Sequence, residues 1–202
     1  MHFSSSRWWQ AVTQVILCCM LLWSPTFASA QQSAAQVRAV KLEPAKPPLP
    51  KGWTLSAEFG LGLGDKLRDA VERGLPLQFA VDFKLLKPRW YWADEEVVSA
   101  SYPFNLSYHA LTRTYRLVTP SQTLTFNRLE DAVEAMSKVS QWPVIQKDAI
   151  SVGEKYNAKV RFRLVLTEMP KPFQISALVN TEWDLSTEWL EFEFTPHSEI
   201  LR

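Results

Sequence analysis

The chain has 202 residues, of which 47% are hydrophobic, and it sets 22 Lys+Arg against 21 Asp+Glu. That length suits a single domain with a sizeable core. The near-neutral balance supplies no basic field to draw nucleic acid or an anionic lipid surface.

Residues 1–30 read as a cleaved secretory signal. Arg7 supplies the positive start, Val15 to Trp23 a nine-residue apolar core, and Ala28-Ser29-Ala30 a small-x-small site. Cleavage is expected between Ala30 and Gln31. The apolar run falls short of the roughly 20 residues that span a bilayer, and no later segment is longer and as apolar. The expectation is therefore an exported protein with no stable membrane span. Leu17 before Cys18, and a second cysteine before Cys19, argue against lipidation. Both cysteines leave with the signal, so no disulfide framework remains. That favours the bacterial periplasm over a eukaryotic secreted domain. Arg7, Trp8, Trp9 and Trp23 leave too. The mature chain then has 21 residues of each charge, and six of the nine tryptophans to place.

Residues 31–50 form a proline-rich leader. Gln31 to Ala35 is polar and expected to be disordered. Val37 to Glu43 is a candidate first strand. Pro44, Pro47, Pro48 and Pro50, four prolines in seven residues, predict an extended polyproline-like connector. A docking motif for a proline-reading domain is the alternative.

A single β-rich domain is expected over 51–196, with a tail at 197–202. Trp53, Leu55, Ala57, Phe59 and Leu61 alternate with polar or small residues, as a strand does. Gly62-Leu63-Gly64 breaks it. Asp65 is placed to cap a helix from Lys66 to Arg73, with Leu63, Leu67, Ala70 and Val71 on one face. Gly74 suits a left-handed C-cap, and Pro76 prevents continuation. Gly60, Gly62 and Gly64 resemble a phosphate loop only superficially, because no Lys-Ser/Thr follows them. They read as the end of a strand and the start of a helix.

Leu75 to Trp92 organises the rest. Leu77, Phe79, Val81, Phe83 and Leu85 alternate with Gln78, Ala80, Asp82 and Lys84, which predicts a central half-buried strand. Asp82 and Lys84 share its polar face, where a structural ion pair between them is expected. Pro88 stops the pairing. Arg89, Trp90, Tyr91 and Trp92 follow as a basic-aromatic knot, and Ala93 to Glu96 as an acidic turn.

Val97 to His109 reads as a long strand with Tyr102, Phe104, Leu106 and Tyr108 on one face. Pro103 argues for an edge or a bulge. Leu111 to Thr119 and Ser121 to Phe126 continue as a meander. Asn127 with Glu130 is close to a capping box for a helix over Arg128 to Ser140, striped by Leu129, Ala132, Val133, Met136 and Val139. Pro143 is expected to end that helix. A short strand over Val144 to Ile150 and a turn at Val152 to Lys155 come next. Val160, Phe162, Leu164 and Leu166 alternate with Lys159, Arg161, Arg163 and Val165 as a strong strand. Phe173 to Val179 suits a short helix with Pro172 at its first position. Trp183 to Trp189 is turn-rich, and Leu190, Phe192 and Phe194 mark a last strand. The sum is mainly β: an antiparallel β-sandwich or curved sheet with two to three short helices.

Few constellations carry chemistry. The mature chain has two histidines, His109 and His197, no cysteine and no Gly-x-Ser-x-Gly elbow, so neither a typical zinc site nor that hydrolytic signature is present. Asp94, Glu95 and Glu96 with His109 offer a hard-cation site; an acidic turn beside a solvated histidine is the plainer reading. Asp82, Asp184 and Glu188 are the carboxylates open to glycoside chemistry. No cofactor and no metal are expected. Arg89, Trp90, Tyr91, Trp92 and Asp94 are the candidate binding residues, through stacking and cation–π contacts. The competing reading has Trp90 and Trp92 on one face, plugging the end of the core, with Tyr91 outward.

Four stretches also carry a resemblance. These are Ala70-Val71-Glu72-Arg73-Gly74-Leu75-Pro76-Leu77, Arg89-Trp90-Tyr91-Trp92-Ala93-Asp94, Leu111-Thr112-Arg113-Thr114-Tyr115 and Trp183-Asp184-Leu185-Ser186. Together they resemble a family of uncharacterised proteobacterial exported proteins, described as proline-rich signal-peptide proteins or as domain of unknown function 4390. The resemblance covers most of the mature chain and brings no catalytic signature. It implies an envelope setting and, through neighbouring genes, a membrane sensor kinase as partner. The functional expectation is a non-enzymatic periplasmic protein-interaction module. A carrier of lipid or another apolar ligand, and an envelope glycan or peptide hydrolase, stand as alternatives.

Overall fold

The computed structural model describes residues 34–169, 171–179 and 183–197. The expected signal, its cleavage point and residues 198–202 of the tail lie outside them. Among these residues nine strands and three α-helices follow one another: β1 (Ala34–Pro44), β2 (Gly52–Gly62), α1 (Asp65–Glu72), β3 (Leu77–Lys87), β4 (Glu95–His109), β5 (Thr114–Val118), β6 (Thr123–Phe126), α2 (Leu129–Met136), β7 (Lys138–Gln146), β8 (Tyr156–Leu164), α3 (Lys171–Val179) and β9 (Leu190–Phe194). All pairings are antiparallel. They build a three-stranded sheet in the order β1-β2-β7 and a six-stranded sheet in the order β6-β5-β4-β3-β8-β9.

The two sheets pack face to face through aromatic rings. Phe59 of β2 meets Phe162 of β8 at 5.5 Å, Trp53 of β2 meets Phe194 of β9 at 5.9 Å, and Tyr102 of β4 meets Trp142 of β7 at 5.4 Å. Phe162 also stacks on Phe79 at 5.6 Å and reaches Phe104 at 6.4 Å. The inward residues of β3 and β8 are buried throughout, as the period-two pattern requires. The fold is an antiparallel β-sandwich with β3 in the interior of its larger sheet.

Pro103 sits where β4 has β3 on one side only, because β5 pairs no further than Asn105. A residue without an N–H is tolerated at such a local edge. Gly74 adopts φ +87° after α1. Its N–H donates to the Val71 carbonyl and that of Leu75 to the Ala70 carbonyl, the paired bonds of a left-handed helix end.

Seven local expectations are corrected. The proline stretch is the turn of a hairpin rather than an extended connector. Ala45 N–H donates to Gly52 O at 2.8 Å, Leu49 N–H to Lys46 O at 3.0 Å, and β1 pairs with β2 from Ala34 onward. Ala34 and Ala35 therefore belong to a strand rather than to a disordered leader. Asp65 does not cap α1; Gly64 occupies the N-cap and Asp65 the first turn, where its charge complements the helix dipole. Nor does Asn127 cap α2, whose N-cap is Arg128. That helix also ends earlier, at Met136. The Phe59 N–H donates to Ser137 O, and Val139 pairs with Ala57, so the chain leaves the helix to join β2. Pro143 lies within β7, an edge strand that needs no N–H there. In α3, Pro172 is the second residue, not the first.

Candidate functional site

The basic-aromatic knot is the turn that joins β3 to β4. The ladder between these strands closes with Lys87 opposite Glu95, leaving residues 88–94 to form the tip. Ion pairs clamp its base. Lys84 binds Glu96 at 2.6 Å, Lys87 binds Glu154 at 2.7 Å, and the Arg89 guanidinium binds Glu95. The Arg89 N–H donates to Asp94 Oδ1 at 3.4 Å across the turn. The hydrogen bond from Lys84 holds the Glu96 carboxyl below its usual value, and that from Lys87 does the same to Glu154. Each basic group at the base is thus matched by an acid, and the tip carries little net charge.

Above this base the aromatic rings stand in solvent. Trp90 is 93% exposed, Tyr91 67% and Trp92 75%. Trp90 and Tyr91 meet edge-on at 4.8 Å, the geometry their quadrupoles prefer. The expectation that Trp90 and Trp92 plug the core is overturned. Trp53 packed on Phe194, together with buried Tyr156, already fills that end. The buried plug is thereby excluded, and the rings are left on the surface. The structure brings Arg89, Trp90, Tyr91, Trp92 and Asp94 together on one turn.

The acidic turn and His109 are held apart. Glu96 and His109 lie at opposite ends of β4. At about 3.3 Å per residue that separation is roughly 40 Å, so they share no cation. His109 instead exchanges a 3.2 Å hydrogen bond with the Thr112 hydroxyl. Among the described residues no three His, Cys, Asp or Glu side chains are grouped to hold a metal ion.

Asp82 lies on the outer face of the large sheet and is nonetheless buried. Its partner is not Lys84. Arg161 Nε donates to Oδ2 at 3.0 Å, Arg163 Nε to Oδ2 at 2.6 Å, and the Ser101 hydroxyl to Oδ1 at 3.1 Å. Arg161 also lies over the Trp189 ring at 4.4 Å. Burial pushes the Asp82 carboxyl up, but the hydrogen bonds from Arg163 and Arg161 outweigh it and hold the group below its ordinary value. Such a carboxylate is a poor proton donor near neutrality. Asp184 accepts a 2.6 Å hydrogen bond from Ser186, and Glu188 is exposed. Arg161 and Arg163 were legible only as the polar face of β8. Their register opposite Asp82 was the missing information.

A family model described as domain of unknown function (DUF4390) matches residues 32–193. No curated protein and no solved structure matches the chain. The chain belongs to the DUF4390 family.

Proposed function

We propose that this DUF4390 protein is a non-enzymatic exported envelope protein that recognises a protein partner through the tip Arg89–Asp94. One observation carries the reading: three adjacent aromatic side chains are held in water on a base clamped by ion pairs. Trp, Tyr and Arg dominate the energetics of protein interfaces, and a clamped base lowers the ordering cost of binding. The base is balanced in charge, so specificity comes from the aromatic surface and the Arg89 plane rather than from long-range attraction. The partner class is an envelope protein, with a membrane sensor kinase as the specific candidate.

The lipid-carrier alternative draws no support from the interior, where Phe59, Phe79, Phe104 and Phe162 fill the space between the sheets. The hydrolase alternative is weakened by the clamped state of Asp82.

Photo-crosslinking from position 91 in intact cells tests the proposal. A discrete adduct is expected, reduced at least tenfold by Trp90→Ala with Trp92→Ala, and also weakened by Arg89→Ala. No specific adduct, or adducts indifferent to all three changes, would refute it.

A further inference from the structure

The glycine-bearing stretch Phe59 to Gly64 does more than end a strand. In β1 the pairing slips between Val37 and Ala39, so Arg38 is the extra residue of a bulge. The slip keeps the apolar side chains inward, with Ala35 and Val37 before it and Val40 and Leu42 after it all half-buried. A bulge also re-aims its own side chain. Arg38 passes over Gly60, where a Cβ would stand 2.8 Å from Arg38 Nε and 3.0 Å from Gln36. The path of the arginine depends on residue 60 having no side chain.

Arg38 borders a cleft of about 300 Å³ between β2, α1 and α2. Phe59, Leu63, Leu129 and Val133 form its apolar lining. The charges on its rim are unequally engaged. Arg68 is held by Glu130 at 2.7 Å, and Glu134 by Lys138 at 3.1 Å. Arg38 has only Glu58, at 4.0 Å, among the described residues, and its side chain is 58% exposed. It is the rim cation not engaged in a short ion pair.

We propose that this cleft binds a small apolar carboxylate. The apolar body occupies the space over Leu61 and Val133, and the carboxylate takes the planar fork of Arg38. The volume lies at the lower end of the roughly 300–1,000 Å³ typical of small-molecule sites. It suits one ring or one branched side chain rather than a lipid tail. The cleft shares no residue with the aromatic tip, so the two sites stand or fall separately.

Amide chemical-shift titration of the purified protein with 4-phenylbutyrate tests the site. Saturable shifts at Leu61, Leu63, Leu129 and Val133 are expected. The uncharged analogue 4-phenylbutan-1-ol should bind at least tenfold more weakly. Arg38→Gln should remove that preference, and Gly60→Ala should reduce it by displacing Arg38. Arg116→Gln, an exposed change on β5, should leave it intact. A peptide ending in a free phenylalanine carboxylate, compared with phenylbutyrate, distinguishes a chain terminus from a free acid as the source; binding of either supports the site. Absence of saturable shifts with both probes at millimolar concentration overturns the proposal. So does equal binding of acid and alcohol, or an undiminished preference in the Arg38→Gln protein, whose exposed side chain is not needed for folding.

Discussion

Phe162→Ala removes the ring on which both sheets close. The side chain is fully buried and meets Phe59, Phe79 and Phe104 at 5.5, 5.6 and 6.4 Å. Truncating a core phenylalanine costs about 3–5 kcal/mol, from lost transfer energy plus the cavity left behind. Three ring partners place this site in the upper part of that range, about 4–5 kcal/mol. Domains of this size hold only about 5–15 kcal/mol in total. The melting temperature should therefore fall by roughly 8–20 °C, at about 2–4 °C per kcal/mol. Urea unfolding followed by tryptophan fluorescence measures the loss, provided the slope m is unchanged. Phe162→Leu should recover more than half of it, because most of the volume returns. A loss below about 1.5 kcal/mol would refute the packing argument. The ring would then face space rather than neighbours, and the lipid-carrier reading would regain its cavity.

Three further outcomes follow from named geometry. Trp90→Ala with Trp92→Ala should leave the urea midpoint within about 0.5 kcal/mol of the parent, because both side chains are exposed; a loss above 2 kcal/mol would show that they pack. Asp82→Asn should cost about 2 kcal/mol near pH 7, since the carboxylate gathers two guanidiniums that are themselves about one-third exposed. The unfolded carboxyl titrates near 3.8 and the folded one below it, so this stabilisation is complete above 3.8 and is lost as pH falls through the lower folded value. The difference between parent and variant should accordingly narrow below pH 3.8, and an equal difference at pH 3 and pH 7 would contradict the assignment. Gly74→Ala should cost about 1 kcal/mol from backbone strain alone, because φ is +87° and nothing lies within 4 Å of the added Cβ; Gly74→Asn should cost less, and a neutral Gly74→Ala would contradict the left-handed geometry.

The strands with one buried face were legible because their chemistry alternates. In β3 and β8 every second residue is apolar, and that period has a single structural meaning. Gly74 was legible for a similar reason, since a glycine at the end of a helical stripe has a known backbone use. Other features depended on partners far along the chain. Val139 fits both a helical stripe and a strand facing Ala57, and only the β2–β7 pairing decides between them. Asp82 and Lys84 share a face, but their partners are set by which strand lies alongside: β8 brings Arg161 and Arg163, and β4 brings Glu96. The five tip residues stood out by composition, and the turn between β3 and β4 brings them together. Their exposure was not readable, because it depends on which residues fill the adjoining end of the core, and there Trp53 packs on Phe194, far along the chain. The bulge at Arg38 was present as a slip in alternation, yet its relation to Gly60 required the β1–β2 register.

The position of the aromatic tip also has a mechanical meaning. It closes the hairpin of β3 and β4, and β3 is hydrogen-bonded on its other side to β8. A partner that pulled on the tip along the strand axis would draw β3 and β4 together and load the two flanking ladders, β3–β8 and β4–β5, in shear. Bonds loaded in this way share tension and resist together, whereas a marginal strand such as β9 peels one bond at a time. Attachment at Trp90 and Trp92 would therefore carry force into the middle of the large sheet.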